Sequence, residues 1–428
     1  MTDPLPIRKR VLVLFGAGDF AFNLYWQTIS LYLLFFYIDA LRLPPAVAGT
    51  VFMVGTVWDG AADFCAGAVA ERSRLTYRRL IGTGALPLGL AFVVMFAVPA
   101  GAALPALLTQ IAFRTLYAFT NIPYAAWTVR LATTGRDRSL VAGLRMGFGA
   151  AAAILVALAM PALVRNARDY AVAAAGLAVI GVPLLLLMVR YVPEPVRAPR
   201  PGGGPALGPG LRLLLRNRAF VALNLAAAAG GAATALASQS VLYVFRYVLH
   251  DEPAGPRVLA AMALVSLVAL PVWTLVAAVR GARPVWLGAG ALALAIVTVM
   301  ALLPVHDSVV TAAFLLAMQV AFAGFGLAAW TLLPETIDWG EARTGERVEA
   351  LAFGTFALVQ KVALASAGLA IGLAYQATGF VAGAVQGPAS IAAIRAMMLA
   401  GPAVLVAAML AAVVALPRRA AAPGVRPA

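Results

Sequence analysis

The sequence predicts an all-α integral membrane protein whose twelve transmembrane helices form two bundles of six. Three observations lead to this fold class. Of the 428 residues, 63% are hydrophobic and only 11% are charged, whereas about a quarter of the residues in soluble proteins are charged. Twelve apolar stretches approach or exceed the roughly 20 residues that a helix needs to cross a bilayer. A break rich in Pro and Gly separates six of these stretches from the other six.

The predicted elements follow in order along the chain. The first six stretches lie near 11–38, 46–70, 79–99, 102–128, 139–163 and 170–191, and the last six near 219–248, 257–279, 284–303, 308–332, 350–378 and 389–416. The segment between them is dense in Pro and Gly, which is typical of flexible linkers. We therefore predict an N-terminal bundle (1–191), a cytoplasmic linker (192–218) and a C-terminal bundle with a short cytoplasmic tail (219–428). Such a layout is typical of transporters whose substrate site lies between two bundles.

Basic residues predict the orientation in the membrane. An even number of spans places both termini on one side. Lys and Arg cluster before the first span, after the second and fourth, and around the linker, whereas the alternate loops carry only Arg42, Arg165, Arg168, Arg246 and Arg257. By the positive-inside rule, both termini of this multi-pass protein are expected to be cytoplasmic. The same bias explains the net charge of +15 without a nucleic-acid partner. The expected partners are the lipid bilayer and a small-molecule substrate, and the protein is expected to be a monomer.

Residues that commonly carry enzyme chemistry are scarce. The only cysteine, Cys65, lies in the second apolar stretch, and His250 and His306 fall in predicted loops. We therefore expect no disulfide framework and no metal site built from His or Cys. No nucleophile–base pair is visible, so the protein is not expected to be an enzyme. No cofactor is expected, and Na⁺ or H⁺ would enter only as a coupling ion.

The second apolar stretch carries two carboxylates, Asp59 and Asp63. Residues four apart share one face of a helix, with Cβ atoms roughly 5–6 Å apart. Each carboxylate would cost roughly 2.5–3.5 kcal/mol if it faced lipid at mid-depth. We therefore expect both to face the protein interior, where a monovalent cation, a proton or a basic side chain offsets their charge. The alternative is a static ion pair that only holds helices together.

Four motifs occur in a characteristic order from the first span to the eleventh. They are Phe15-Gly16-Ala17-Gly18-Asp19-Phe20, Trp58-Asp59-x-x-x-Asp63, Asn121-Ile122-Pro123-Tyr124 and Asp338-Trp339-Gly340-Glu341. Together they resemble the glycoside–pentoside–hexuronide:cation symporters, a branch of the major facilitator superfamily. The resemblance implies the major facilitator fold. It also implies cation-coupled symport of a small hydroxylated solute, such as a glycoside or sugar, by alternating access.

The resemblance also implies roles for single residues around the substrate. Asp19 and Arg145 correspond to the family's charged pair that hydrogen-bonds substrate hydroxyls, and Tyr117 corresponds to an aromatic residue near them. Two further aromatic residues, Tyr25 and Trp330, lie inside predicted spans rather than at their ends. We expect both to line the cavity and stack on a sugar ring.

For the coupling ion, the resemblance implies a second group of residues. Asp59 and Asp63 correspond to the carboxylates that bind the coupling cation, and Lys361 to a basic residue near that site. Hard carboxylate oxygens suit Na⁺, Li⁺ or H⁺. Asn121 stands where the family's melibiose permease has a further carboxylate, which weakens a Na⁺ cage.

Arg114 departs from the family pattern, because it lies in the middle of span four, where no basic residue is expected. One hypothesis is that its guanidinium pairs with Asp59 or Asp63 and replaces a bound cation, leaving transport proton-coupled or uncoupled. The other is that Arg114 faces the central cavity and binds an anionic group of the substrate. The sequence leaves both open, whereas an arginine that faces lipid is much less favourable.

Two groups of charged residues lie at the predicted cytoplasmic ends of spans. They comprise Glu71, Arg72, Glu335, Asp338, Glu341 and Arg347. We expect them to form salt bridges between the bundles that close the inner gate in the outward-open state. The alternative is a set of solvated loop charges. A second cargo also stays open, because the many Ala and Leu residues would suit a lysophospholipid or another amphiphile.

Overall fold

The computed structural model describes residues 9–72, 75–131, 135–166, 168–194, 207–302, 307–346 and 348–417. Within these ranges the chain is helical and contains no strand. The helices before the linker are α1 Lys9–Thr28, α2 Pro45–Arg72, α3 Tyr77–Phe96, α4 Ala103–Leu131, α5 Gly135–Leu163 and α6 Asp169–Tyr191. Those after it are α7 Leu207–Arg216, α8 Arg218–Tyr243, α9 Ala254–Arg280, α10 Ala282–Leu302, α11 Ser308–Thr344, α12 Glu349–Ala377, α13 Pro388–Met398 and α14 Ala400–Val414.

Across the residues that the structure describes, twelve long helical segments correspond to the twelve predicted stretches within several residues, except that α11 continues to Thr344, well past the predicted end near 332. α1 continues through π-helical turns at Ile29–Leu33 and Phe36–Ala40, α8 continues through Val244–Val248, and α13 and α14 form one broken segment. Among the described residues, nine segments are long and apolar enough to cross a membrane. The remaining three are α1, α2 and α4, which are the helices that carry the buried charges described below.

Each half of the chain packs mainly within itself. In the first half, α1 packs on α5 and α6, and α4 packs on α2 and α3. In the second half, α8 packs on α11, α12 and α14, and α11 packs on α9 and α10. The two bundles meet through α2 with α12 and through α5 with α9. Among the helices that the structure describes, most pairs therefore lie within one half, and α2–α12 and α5–α9 are the main pairs that join the halves.

Glycines allow α2 and α12 to approach closely. A Cβ atom added at Gly372 would lie 2.4 Å from the Pro45 carbonyl oxygen, and one added at Gly49 would lie 3.0 Å from the Gly368 carbonyl oxygen. Neither position tolerates a side chain without a shift of backbone. This contact lies toward the end of the molecule opposite the two termini, which we call the distal end.

Polar contacts also join the bundles at the distal end. Asp39, at the end of the first segment, accepts a hydrogen bond from the Tyr247 hydroxyl and lies 3.5 Å from Nη1 of Arg246. Arg42 donates to the carbonyl oxygen of Ala382. These contacts and the glycine packing join the bundles at the distal end, beside a further cavity of about 790 Å³ that Asp39, Arg42 and Arg246 line.

The predicted linker is not irregular throughout, because α7 lies inside it. Leu207, Leu211 and Leu214 follow the helical spacing of an apolar face, while Arg212 and Arg216 lie one turn apart. Asn217 then caps α8: its side-chain oxygen accepts a hydrogen bond from the backbone N–H of Phe220 at 3.0 Å. The expectation of a wholly flexible linker is therefore corrected over Leu207–Arg216.

Candidate functional site

Two adjoining cavities lie between the bundles, with volumes of about 590 and 360 Å³. They share Gln27, Leu31 and Ser238, so they form one central space. The charged residues that line it are Asp19 and Arg145, both from the N-terminal bundle. Volumes of this size suit small ligands.

Asp19 and Arg145 form an ion pair in the wall of the larger cavity. Arg145 Nε donates to Asp19 Oδ1 at 2.8 Å, and Nη1 donates to the Thr128 hydroxyl at 3.3 Å. Asn23, one turn after Asp19, donates to Asp19 Oδ2 at 3.0 Å. The guanidinium lies 5.1 Å from the centre of the Tyr124 ring. The Arg145 side chain is 30% exposed, so this held pair still reaches the cavity.

The glycines before Asp19 explain how the pair forms. A Cβ at Gly16 would lie 3.1 Å from atoms of Leu144 and Phe148 on α5, and one at Gly18 would lie 2.4 Å from the Met188 sulfur on α6. The motif therefore lets α1 lie close against α5 and α6. This approach brings Asp19 beside Arg145.

A second charged cluster lies away from the cavity and joins the bundles. It contains Asp59 and Asp63 of α2, Arg114 of α4 and Lys361 of α12. Asp59 Oδ2 lies 3.1 Å from Arg114 Nη1 and 2.7 Å from Lys361 Nζ, and Lys361 also pairs with Asp63. The two carboxylates and two cations balance in charge. The side chains of Asp59 and Arg114 are each 1% exposed.

Small and polar neighbours position this cluster. A Cβ at Gly60 would lie 2.4 Å from a methyl carbon of Leu358, so the glycine admits α12 next to Asp59. Arg114 Nη2 donates to the Thr56 hydroxyl at 3.1 Å. Lys361 thus crosses from the other bundle to reach both carboxylates.

The geometry separates the two hypotheses for Arg114. Its guanidinium pairs with Asp59, lies 5.9 Å from the centre of the Trp26 ring, and lines neither cavity. This position favours replacement of a cation over contact with a substrate anion. In the described part of the chain, no group of three or more His, Cys, Asp or Glu side chains could hold a metal ion.

Tyr117 and Asn121 of α4 lie beside the two centres. The Tyr117 ring is buried and stacks on Trp26, with ring centres 6.2 Å apart. Trp26 itself lines the smaller cavity, so Tyr117 lies behind it. Asn121 is half-buried and lines neither cavity.

The structure places Tyr25 and Trp330 away from the central space, which corrects the expectation that they line it. Tyr25 is fully buried inside the N-terminal bundle, its ring centre 4.7 Å from that of Phe92. Trp330 is 51% exposed and packs on Phe356. One residue turns a helix by about 100°, so Trp26 faces the cavity where Tyr25 was expected.

The predicted inner gate is described only in part. Glu335 and Glu341 are half-buried and Asp338 is exposed, all on the last turns of α11. The side chains of Glu71 and Arg72, and all of Arg347, lie outside the described residues. The salt-bridged gate therefore stays a prediction.

Several polar residues of the site were not expected from the sequence. Asn23 and Gln27 follow Asp19 at intervals of four residues on α1, and this spacing could have revealed them. Ser266 and Gln319 line the same cavity from α9 and α11, but nothing in the sequence distinguishes them from other polar residues in spans. Asp39, a buried carboxylate at the distal end, was also not expected, and it lies one residue past the predicted first stretch.

Comparisons with known proteins agree with one another. The family model described as "MFS/sugar transport protein" matches residues 14–417. The uncharacterized symporter YnaJ of Bacillus subtilis (strain 168) is 28% identical over 395 residues, covering 88% of this chain and 85% of that protein. The glucuronide carrier protein homolog of Escherichia coli (strain K12) is 28% identical over 413 residues, covering 90% and 87%.

A solved structure resembles the whole molecule. It is a bacterial homolog of the human lysosomal transporter Spinster in an inward-facing and unoccupied conformation, with a TM-score of 0.73 and 14% identity. The match covers 96% of this chain and 97% of that one. At this identity the likeness shows the fold alone.

Proposed function

We propose that this chain, which belongs to the MFS/sugar transport protein family, carries a small hydroxylated solute such as a glycoside or sugar by cation-coupled symport. The chain is a multi-pass membrane protein with the major facilitator fold, and it is a secondary transporter rather than an enzyme. Its proposed mechanism is alternating access of two bundles around a midplane site.

The ion pair of Asp19 and Arg145 in the cavity wall carries this proposal. A carboxylate accepts hydrogen bonds from hydroxyls, and a guanidinium donates from a planar fork. Nη2 of Arg145 has no partner among the described residues, and the side chain is partly exposed to the cavity. A pair of adjacent sugar hydroxyls fits such a donor and acceptor set. This polar wall suits a sugar better than an amphiphile.

We further propose that both termini are cytoplasmic. The distal end, where Asp39, Arg246 and Tyr247 join the bundles, is then extracellular. Substrate and coupling ion would favour each other's binding if each prefers the same state of the bundles.

A binding experiment tests the substrate site. Purified protein in detergent is titrated calorimetrically with D-galactose, D-glucose, D-xylose and their disaccharides melibiose, isomaltose and xylobiose. We expect at least one sugar to bind and Asp19→Asn to abolish its binding. Asp251→Asn, which changes a carboxylate outside both cavities, should leave binding intact. Absence of binding by all six sugars would contradict the proposal.

The coupling ion is a separate proposal, which the charged cluster supports. Arg114 and Lys361 already balance Asp59 and Asp63, so we propose that Na⁺ is not required and that a proton is the coupling ion. Uptake into proteoliposomes is measured with Na⁺ replaced by a large organic cation. Unchanged uptake is expected, and strict dependence on Na⁺ would contradict the proposal.

A further inference from the structure

We infer that the C-terminal bundle carries a second, uncharged sugar subsite, centred on Gln319 and Ser266, which binds the second ring of a disaccharide-sized glycoside. The inference rests on the proposed function and deepens it. It assigns a substrate class of two linked units: one held by Asp19 and Arg145, the other neutral and held from the opposite wall.

Gln319 and Ser266 are arranged to recognise a hydroxyl group. Gln319 Nε2 donates to Ser266 Oγ at 2.6 Å, which holds both side chains in place. Gln319 Oε1 and the Ser266 hydroxyl hydrogen then have no partner among the described residues. A sugar hydroxyl can donate to the amide oxygen and accept from the serine. The pair therefore offers one acceptor and one donor in a fixed arrangement.

The α9 residues that line the cavity around this pair are apolar. They are Leu259, Met262, Ala263, Leu267 and Leu270. Sugar rings also have apolar C–H faces, which can pack on such side chains. A polar group without a hydrogen-bond partner in such surroundings is unfavourable. A ligand that supplies the missing hydrogen bonds removes that cost.

Uncharged polar residues continue from this pair into the smaller cavity. Gln27 and Ser238 lie where the two cavities join, and neither side chain has a hydrogen-bond partner among the described residues. Gln239 is 5% exposed in the wall of the smaller cavity, and neither of its amide atoms has a partner in the described structure. Buried amides are normally bonded, so this surface lacks a partner in the present state.

The charge of the cavity lining and the size of the cavity together indicate which kind of second unit would bind. Among the described residues of the C-terminal bundle, none that lines either cavity is charged. The larger cavity alone, at about 590 Å³, offers more room than one sugar ring fills. A neutral sugar ring matches both features, because it brings several hydroxyls and no charge.

The test compares each monosaccharide with its disaccharide in the wild type and in two variants. Gln319→Met keeps the side-chain volume and removes the amide, while Ser266→Ala removes the hydroxyl with little risk to folding. The titrations use galactose with melibiose, glucose with isomaltose, and xylose with xylobiose. We expect a disaccharide to bind at least about tenfold more tightly than its monosaccharide. Each variant should abolish most of that difference and leave monosaccharide binding unchanged.

Gln376→Met provides the matched control, because Gln376 is exposed on α12 and lines neither cavity. It should bind both sugars as the wild type does. If a monosaccharide and its disaccharide bind equally, or if both variants weaken the two sugars alike, the second subsite is refuted while the proposed function survives. If none of the six sugars binds the wild type, both proposals fail.

Discussion

Two carboxylate–guanidinium pairs in the N-terminal bundle have the same chemistry and opposite surroundings. The Arg145 side chain, paired with Asp19, is 30% exposed in the wall of a cavity. The Arg114 side chain, paired with Asp59, is 1% exposed and has Lys361 from the other bundle as a further neighbour. The first pair has donors left for a ligand, whereas the second is balanced by the protein itself. Exposure, rather than residue type, therefore supports the proposals that the first pair contacts substrate and that the second serves coupling and bundle contact.

The largest difference is expected in stability. Removing one partner of a buried ion pair costs about 3–5 kcal/mol when the remaining charge loses its compensation. In Arg114→Gln only Lys361 is left to balance Asp59 and Asp63, so the free energy of unfolding is expected to fall by up to this amount. Arg145→Gln is expected to cost less, since Asp19 lines the cavity. Unfolding of both variants in the same detergent measures the two losses.

The double variant Asp59→Asn/Arg114→Gln is the control for this comparison. It removes both charges, so it should be more stable than Arg114→Gln alone. Equal losses for Arg114→Gln and Arg145→Gln would show that the two pairs do not differ as described.

For sugar affinity, the variant at Arg145 should have the larger effect and the variant at Arg114 the smaller one. A hydrogen bond to a charged group contributes about 1.5–3 kcal/mol, so Arg145→Gln is expected to weaken binding by about 100-fold. Arg114→Gln should weaken it by less than about tenfold, since Arg114 lines neither cavity. Calorimetric titration with the sugar that binds the wild type measures both. A loss of equal size in Arg114→Gln would place that residue in the substrate site.

The spans that carry the two pairs could be predicted from the sequence, because hydropathy shows where each span begins and ends. The depth of Asp59, Asp63 and Arg114 also follows from their position along their spans. The pairing of Asp19 with Arg145 came from the family resemblance. Sequence distance alone, 126 residues between them, does not predict it.

What could not be predicted is mainly rotation about helix axes. Depth does not tell whether Arg114 points to Asp59 or to the cavity, and both hypotheses therefore stayed open. For the same reason, Tyr25 rather than Trp26 was expected to line the cavity. In addition, the π-helical turns at Ile29–Leu33 and Phe36–Ala40 change the phase of the first segment. A prediction based on 3.6 residues per turn therefore does not give the direction of Asp39, which comes after the first of these turns.

A smaller effect concerns the coupling ion. It tests whether the buried pair of Asp59 and Arg114 takes the place of a bound cation. If Arg114 takes the place of a cation, Arg114→Gln should leave room for Na⁺ beside Asp59 and Asp63. Na⁺ at ten times its Kd would then stabilise this variant by about 1.4 kcal/mol. Thermal unfolding is compared in NaCl and in choline chloride.

The wild type should show no difference between the two salts. Arg283→Gln, which removes a half-buried arginine of α10 whose side chain donates to the Val414 carbonyl oxygen, should behave like the wild type. Stabilisation of the wild type by Na⁺ would mean that Arg114 does not replace the cation.

The smallest effect is expected at the distal end, where a third set of charges joins the bundles. Arg246, with its side chain 29% exposed, lies 3.5 Å from Asp39 and 3.4 Å from Glu252. Exposed ion pairs contribute about 0–1 kcal/mol, and a difference of 1 kcal/mol changes an equilibrium by about fivefold. Arg246→Gln should therefore raise the population open at the distal end by up to about fivefold.

Opening is measured with a Ser240→Cys reporter, which is buried in the distal half, in a Cys65→Ser background. The rate at which a maleimide labels this cysteine reports how often the distal end opens. Arg257→Gln, an exposed arginine nearby, should leave that rate unchanged, and equal rates in all three backgrounds would mean that Arg246 does not hold the distal end closed.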